Sequence, residues 1–387
     1  MDNRKDTAPA VGLDVATVFV AIELSGKSWL AALQSPRQER PSRHQLAPAD
    51  ARGLWAVVER ERAALLGGGY REVRVVTCYE AGRDGFWLHR FLVAQGAHSQ
   101  VVDPGSVLVN RRARRAKSDG LDVEGLLRLV IRHDAGDRHL GRMVVVPSVA
   151  EEDACRPGRE RRRLLSERTA HNNRIQGLLA THGIYGYRPL CAERWVRLAA
   201  LRGADGRPLP AQVHEEIVRE LHRLEFAQAQ IAALEKQRAA RLAAAAADDC
   251  GARQVNALMR LRGFGIEFST VLAREVYYRE FANRRGVGSY VGLTSSPFKS
   301  GGVDHEQGIA KAGNRRARST AIELAWLWLM HQPDSALSRW FQARLGANKS
   351  RRMKRILIVA LARKLVVALW RYLTTGLVPE GARLKAA

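Results

Sequence analysis

Residues 11–24, VGLDVATVFVAIEL, and residues 71–82, REVRVVTCYEAG, decide the fold. Both are short runs dominated by Val, Ile and Thr, whose branched side chains suit a pleated surface, and both read as β-structure. The first reads as a hairpin or strand pair. Working outward, Pro48 to Leu66 has helical spacing and is closed by a run of three glycines. After the second run, FWLHRFLVAQG repeats its apolar residues at helical steps and ends at Gly96, and HSQVVDP reads as a further short strand. Then NRRARRAKSDGLDVEGLLRLVIR leads from a basic run into an amphipathic helix. Strands alternating with helices predict an α/β domain over residues 1–145, with a mixed or parallel sheet covered by helices.

Residues 146–249 change character. CRPGRERRRLLSERTAHNNRIQGLLATHG is basic and helical, and the following stretch places Val213, Ile217, Leu221, Leu224, Ile231 and Leu234 at steps of three, four and seven. This predicts a helix pair or short coiled-coil arm, serving either as a dimer contact or as a helix on the protein's own core. Residues 250–387 read as a mainly α third domain. There Gly263-Phe264-Gly265 sits between two apolar helical halves, either a helix-hairpin-helix phosphate turn or a plain tight turn. Trp326, Trp328 and Trp340 sit among leucines at helical spacing, which favours core packing over base stacking.

Among 387 residues, 63 Lys plus Arg against 39 acidic residues leave a formal charge of +24. Such a field favours a polyanionic partner, and arginine's planar fork suits phosphate oxygens. A hydrophobic fraction of 46% excludes global disorder. The most apolar late stretch, Ile356 to Trp370, is interrupted by Arg363 and Lys364 and is too short and charged to span a bilayer. Cys78, Cys155, Cys191 and Cys250 form no metal-spaced pair and read as thiols of a reducing compartment. The expectation is a cytoplasmic, nucleoid-associated protein with no membrane.

Carboxylates are the exception in so basic a chain. Asp14 lies within the first apolar run, Glu80 closes the second, and Asp119 and Asp122 are three apart, on one face of a helix. Single strand-end or helix-start carboxylates are commonly caps or solvated groups. Four that converge need divalent cations, and Mg²⁺, with its preference for oxygen ligands, can hold a phosphodiester in a two-metal site.

These stretches carry a resemblance. GLDVATVFVAI, YEAGRDGFWLHRFLVAQG and VDPGSVLVNRRARRAKSDGLDVEGLLRL resemble the N-terminal DEDD domain of the insertion-sequence transposases described as bridge-RNA-guided recombinases. That domain is similar to the RuvC junction resolvase, an RNase H-like fold. The resemblance implies that Asp14, Glu80, Asp119 and Asp122 are the Mg²⁺-binding catalytic tetrad. Residues 292–316, GLTSSPFKSGGVDHEQGIAKAGNRR, resemble the same family's C-terminal transposase domain, with Ser300 at the nucleophile position. Family membership further implies a covalent phosphoserine intermediate, donor and target DNA, a noncoding guide (bridge) RNA from the element, and a tetrameric homo-oligomer. A metal-dependent junction resolvase without a covalent intermediate is the alternative reading. Candidate nucleic-acid contacts are Arg111, Arg112, Arg114, Arg115 and Lys117 beside the tetrad; Arg161, Arg162 and Arg163 in the arm; Lys299, Lys311, Arg315 and Arg316 around the serine; and Arg351 and Arg352 opening the last helix.

Overall fold

The computed structural model describes residues 15–107, 119–300, 303–311, 313–346 and 350–385, with the backbone alone at 119, 296–300 and 303–307. It divides into two compact units, residues 1–146 and 147–387.

The first unit is a five-stranded sheet with helices on both faces. In chain order it comprises β1 (Val15–Glu23), β2 (Trp29–Gln34), β3 (Ser42–Leu46), α1 (Ala51–Gly67), β4 (Glu72–Glu80), α2 (Trp87–Ala94), β5 (His98–Val102) and α3 (Asp119–Asp134). The strand order is β3-β2-β1-β4-β5. β1 and β2, and β2 and β3, pair antiparallel, whereas β4 runs parallel to both β1 and β5.

Residues 11–24 were expected to form a hairpin or strand pair, but from Val15 onward they form one continuous strand. Ala16, Val18, Val20 and Ile22 all bury toward one face without interruption, and the turn residues Ser25 and Gly26 come only afterwards. That face packs with Val73, Val75 and Tyr79 of β4 against Leu54, Val58, Leu88 and Leu92 of α1 and α2. The opposite face, with Ala21, Val76 and Cys78, is covered by Val123, Leu126, Leu127 and Val130 of α3. Asp50 caps α1 by accepting from the Gly53 amide at 2.8 Å.

The second unit is mainly helical: α4 (Val149–Ala180), α5 (Arg194–Ala199), α6 (Ala211–Ala243), α7 (Cys250–Met259), α8 (Ile266–Leu272), α9 (Arg284–Tyr290), β6 (Ser295–Ser300), β7 (Val303–Ile309), α10 (Arg315–His331), α11 (Ala336–Leu345) and α12 (Arg351–Thr375). α4 and α6 pair antiparallel, as Arg161 meets Glu235 at one end while His171 meets Glu220 and Arg174 meets Glu216 at the other. The stripe Ile217, Leu221 and Leu224 is buried against Ile175 and Leu179 of the same chain. Beyond the pair, α7, α8, α10, α11 and α12 enclose a core around Leu258, Leu324, Trp328, Leu361, Leu365 and Leu369. The Gly263-Phe264-Gly265 turn is packed into it, with Phe264 edge-on to Trp328 at 6.0 Å between ring centroids. Trp326 remains 45% exposed. Among the described residues no helix is long and apolar enough to cross a membrane.

Candidate active site

Sheet register decides which carboxylates meet. β1 and β4 run in parallel from Val15 beside Glu72 to Ile22 beside Tyr79. Ile22 and Tyr79 both face α1 and α2. One residue further on, side chains turn to the opposite face, so Glu23 and Glu80 emerge side by side on the α3 face. Adjacent strands lie about 4.8 Å apart, close enough for two carboxylates to share one cation. The loops that follow converge as well: a Cβ added at Gly26 would stand 3.0 Å from a guanidinium nitrogen of Arg83.

α3 brings the third group. Arg74 donates to Asp134 at 3.0 Å near the helix's C-terminus, and the Cys78 thiol donates to the Leu126 carbonyl at 3.5 Å. Helix and strand therefore run antiparallel. Between these contacts β4 advances about 13 Å at ~3.3 Å per residue, and α3 about 12 Å at ~1.5 Å per residue. One further helical turn toward the N-terminus brings Asp122 level with Glu80 and Glu23. Burial first, then the charge of Glu80, push the Cys78 thiol well above its ordinary value, as expected if Glu80 shares the α3 face. Arg43 of β3 bonds Glu124 and holds its carboxyl below the usual range, tying the start of α3 to the sheet.

The predicted tetrad is therefore only partly placed. Glu80 and Asp122 lie at one end of the sheet. Asp119 opens α3, and its side chain is outside the described residues, as are Asp14, Arg111, Arg112, Arg114, Arg115 and Lys117. β1 begins at Val15 beside Glu72, about 26 Å of strand away from Glu80 at ~3.3 Å per residue. Glu23 is a further candidate at this end of the sheet. Its signal in the sequence is a carboxylate one residue from the end of the apolar run, with Leu24 between it and Ser25-Gly26-Lys27-Ser28. Among the described residues no three His, Cys, Asp or Glu side chains already form a metal-holding group. The donor set nonetheless fits a hard cation, being carboxylate oxygens on one face and one end of a sheet.

Ser300 belongs to the second unit. It is the last residue of β6 and pairs with Val303, which puts it at the tip of the β6–β7 hairpin; Lys299 pairs with Asp304 just before it. Beyond β7 the backbone is anchored firmly. Lys311 adopts a left-handed conformation (φ 57°), and its carbonyl accepts from Arg318 at 2.8 Å. At Gly313 (φ 88°) a Cβ would stand 2.1 Å from the Tyr290 carbonyl oxygen, so no other residue fits. Asn314 caps α10 by accepting from the Ala317 amide at 3.0 Å and donates to a Glu275 carboxylate oxygen at 2.9 Å.

Glu275, 6% exposed, lies in a five-residue π-helical turn, Ala273–Tyr277, and meets Arg316 at 3.0 Å and Arg159 at 3.3 Å. Single-turn π segments recur at functional sites. Burial would raise the Glu275 pKa; the Asn314 hydrogen bond and the charges of Arg159 and Arg316 outweigh it and hold the carboxyl below its ordinary value. Glu267 joins the network through Arg161, Arg238 and Arg316. Two predicted nucleic-acid contacts, Arg161 and Arg316, thus face carboxylates of their own chain, with Arg316 only 12% exposed. Arg162 donates to Ser319 and Arg163 to Glu167, both near the surface. Arg315 opens α10 and Arg351 and Arg352 open α12, the latter two exposed.

Comparison with known proteins gives this arrangement a context. The profile of the transposase IS116/IS110/IS902 family matches residues 255–340, the part of the second unit that contains the Ser300 hairpin and Asn314. A Sinorhizobium fredii protein that carries the name transposase y4rJ is 46% identical over 391 residues, covering 99% of this chain and 98% of its own. A Pseudomonas aeruginosa protein described as a family 20 transposase is 30% identical over 67% of this chain and 72% of its own. With similarity running from end to end in the first and through two thirds of the chain in the second, the protein belongs to the IS116/IS110/IS902 family of transposases and is a DNA transposase/recombinase.

Proposed function

We propose that the protein recombines the DNA of an insertion sequence with two sets of groups: carboxylates on the α3 face of the sheet and the hydroxyl of Ser300. In this reading the first unit is an RNase H/RuvC-like nuclease domain whose ligands are Glu23, Glu80, Asp119 and Asp122, with Glu23 in the role first expected of Asp14. The observation that carries it is the register that sets Glu23 beside Glu80 and brings the first turn of α3 level with both. Bound Mg²⁺ would polarise the scissile phosphate and stabilise the charge on the departing oxygen.

The chain's own contribution is the nucleophile. Ser300 Oγ forms a bond to phosphorus as the bond from phosphorus to one deoxyribose oxygen breaks, and that oxygen leaves carrying the serine's proton. The phosphoserine conserves the phosphodiester linkage, so attack by a sugar hydroxyl of the exchanged strand reverses the step without ATP. Lys299 adjoins Ser300 in sequence, Lys311 and Arg315 follow β7 in the same segment, and all three supply positive charge toward the phosphate. Choice of donor and target DNA is delegated to a bridge RNA, consistent with a charge of +24 and no strong base-reading motif. Four protomers cooperate, each pairing its carboxylates with a serine from another copy.

Covalent adducts trapped in cells carrying the gene with its native flanking DNA test this directly. Wild-type protein is expected to run linked to DNA on denaturing gels. Ser300→Ala is expected to lose the adduct, and Ser295→Ala and Ser296→Ala to keep it. Strand breakage with no adduct in any variant would favour the resolvase reading.

A further inference from the structure

One flank of α12 is unusual. Ile356, 53% exposed, lines a groove of about 1690 Å³ together with Val359 and Val367, which are half-buried at the edge of the core. Nine Lys and Arg side chains rim that apolar floor, against one carboxylate, Glu380, which already meets Arg339 at 3.4 Å. Several arginines elsewhere in the same unit are matched: Arg159, Arg174, Arg194 and Arg274 each face a carboxylate. In the groove, Arg284, Arg285, Arg352, Arg355, Arg363 and Arg371 have no carboxylate partner among the described residues. Like charges gathered without counter-charge repel one another, so the groove is built for an anion rather than for the protein's own stability.

The occupant must carry repeated negative charge on one side and apolar or aromatic surface on the other. Arg355, Arg363 and Arg371 recur every eighth residue, about 12 Å apart at ~1.5 Å per residue along the helix. Trp370, half-buried at the edge of the core, lines an adjoining pocket with Arg371 and Arg284, an aromatic surface of the kind on which bases stack. A second copy of this chain, at +24, is the wrong sign. A duplex keeps its bases inside and has no use for an apolar floor.

We propose that this groove holds one strand of unpaired DNA, bases on the apolar floor and phosphates at the arginine rim. The proposal rests on the strand-transfer reading, which requires DNA ends to separate from their partners.

Full-length protein is titrated with salt while fluorescence anisotropy follows labelled poly(dT), poly(rU) and a duplex. The combined variant Arg355→Gln, Arg363→Gln, Arg371→Gln is compared with wild type and with Arg219→Gln on α6. The triple variant is expected to flatten the poly(dT) slope of log affinity against log salt by about 2, from ~0.7 per phosphate released. Its duplex slope and thermal midpoint are expected to stay at wild-type values, as are all slopes of Arg219→Gln. An unchanged poly(dT) slope, an equal loss on duplex, or a loss confined to poly(rU) overturns the groove assignment. Wild-type protein that binds neither form of DNA overturns the strand-transfer reading itself.

Discussion

Glu23→Gln is expected to lower strand cleavage roughly a hundred- to a thousandfold, while Asp14→Asn stays near wild type. A metal-held phosphate is worth several kcal/mol of transition-state stabilisation, and about 1.4 kcal/mol corresponds to each factor of ten in rate. Glutamine keeps the size of the side chain and one oxygen but removes the charge that draws a cation between β1 and β4. The register is the reason for the Glu23 effect. Glu23 follows Ile22, which faces Tyr79, whereas β1 opens beside Glu72 at the far end of the same strand. Glu80→Gln is expected to match Glu23→Gln, and the double variant to be little worse than either, because groups that act as a unit are not additive. Cleavage of a labelled donor duplex, scored for all four variants, checks the set. Loss of cleavage in Asp14→Asn with normal rates in Glu23→Gln would return the first ligand to Asp14.

Glu275→Ala is expected to destabilise the second unit by about 3 kcal/mol, the lower end for breaking a buried ion pair. It leaves Arg316, 12% exposed, facing only Glu267, and Asn314 without the carboxylate that holds it. For a unit of this size that corresponds to a thermal midpoint lower by roughly 6–12 °C. Arg159→Ala, whose side chain is 57% exposed, should cost far less. Acid reproduces the effect in wild type. Because the folded Glu275 pKa is depressed, its contribution is complete above the ordinary value of 4.5 and is lost as pH falls from there through the folded value. Differential scanning calorimetry across that range checks both. A midpoint in Glu275→Ala within a degree or two of wild type would mean that the network carries no stability.

Local signals made much of the first unit legible. Residues 72–80 form β4, Trp87–Ala94 form α2, and α1 begins close to where its helical spacing starts. β3 was not legible: Ser-Arg-His-Gln-Leu offers no apolar alternation, and the segment is a strand because β2 supplies its hydrogen-bond partners. The candidate site divides the same way. Glu80 and Asp122 stand out as carboxylates ending apolar runs or opening a helix. Glu23 becomes a candidate only through the pairing of β1 with β4, which is non-local. Arg161 and Arg316 make the same point from the basic side. A run of arginines announces a polyanion, but Glu267, about a hundred residues from Arg161, and Glu275, about forty from Arg316, decide which of them are already neutralised.

The most direct measurement is an anomalous difference map from crystals of the full-length protein grown with Mn²⁺ in place of Mg²⁺. Manganese peaks are expected between Glu23, Glu80 and Asp122, and are expected to be lost in Glu23→Gln crystals. Peaks beside Asp14, or peaks unchanged in Glu23→Gln, would rule out a cation held between β1, β4 and α3.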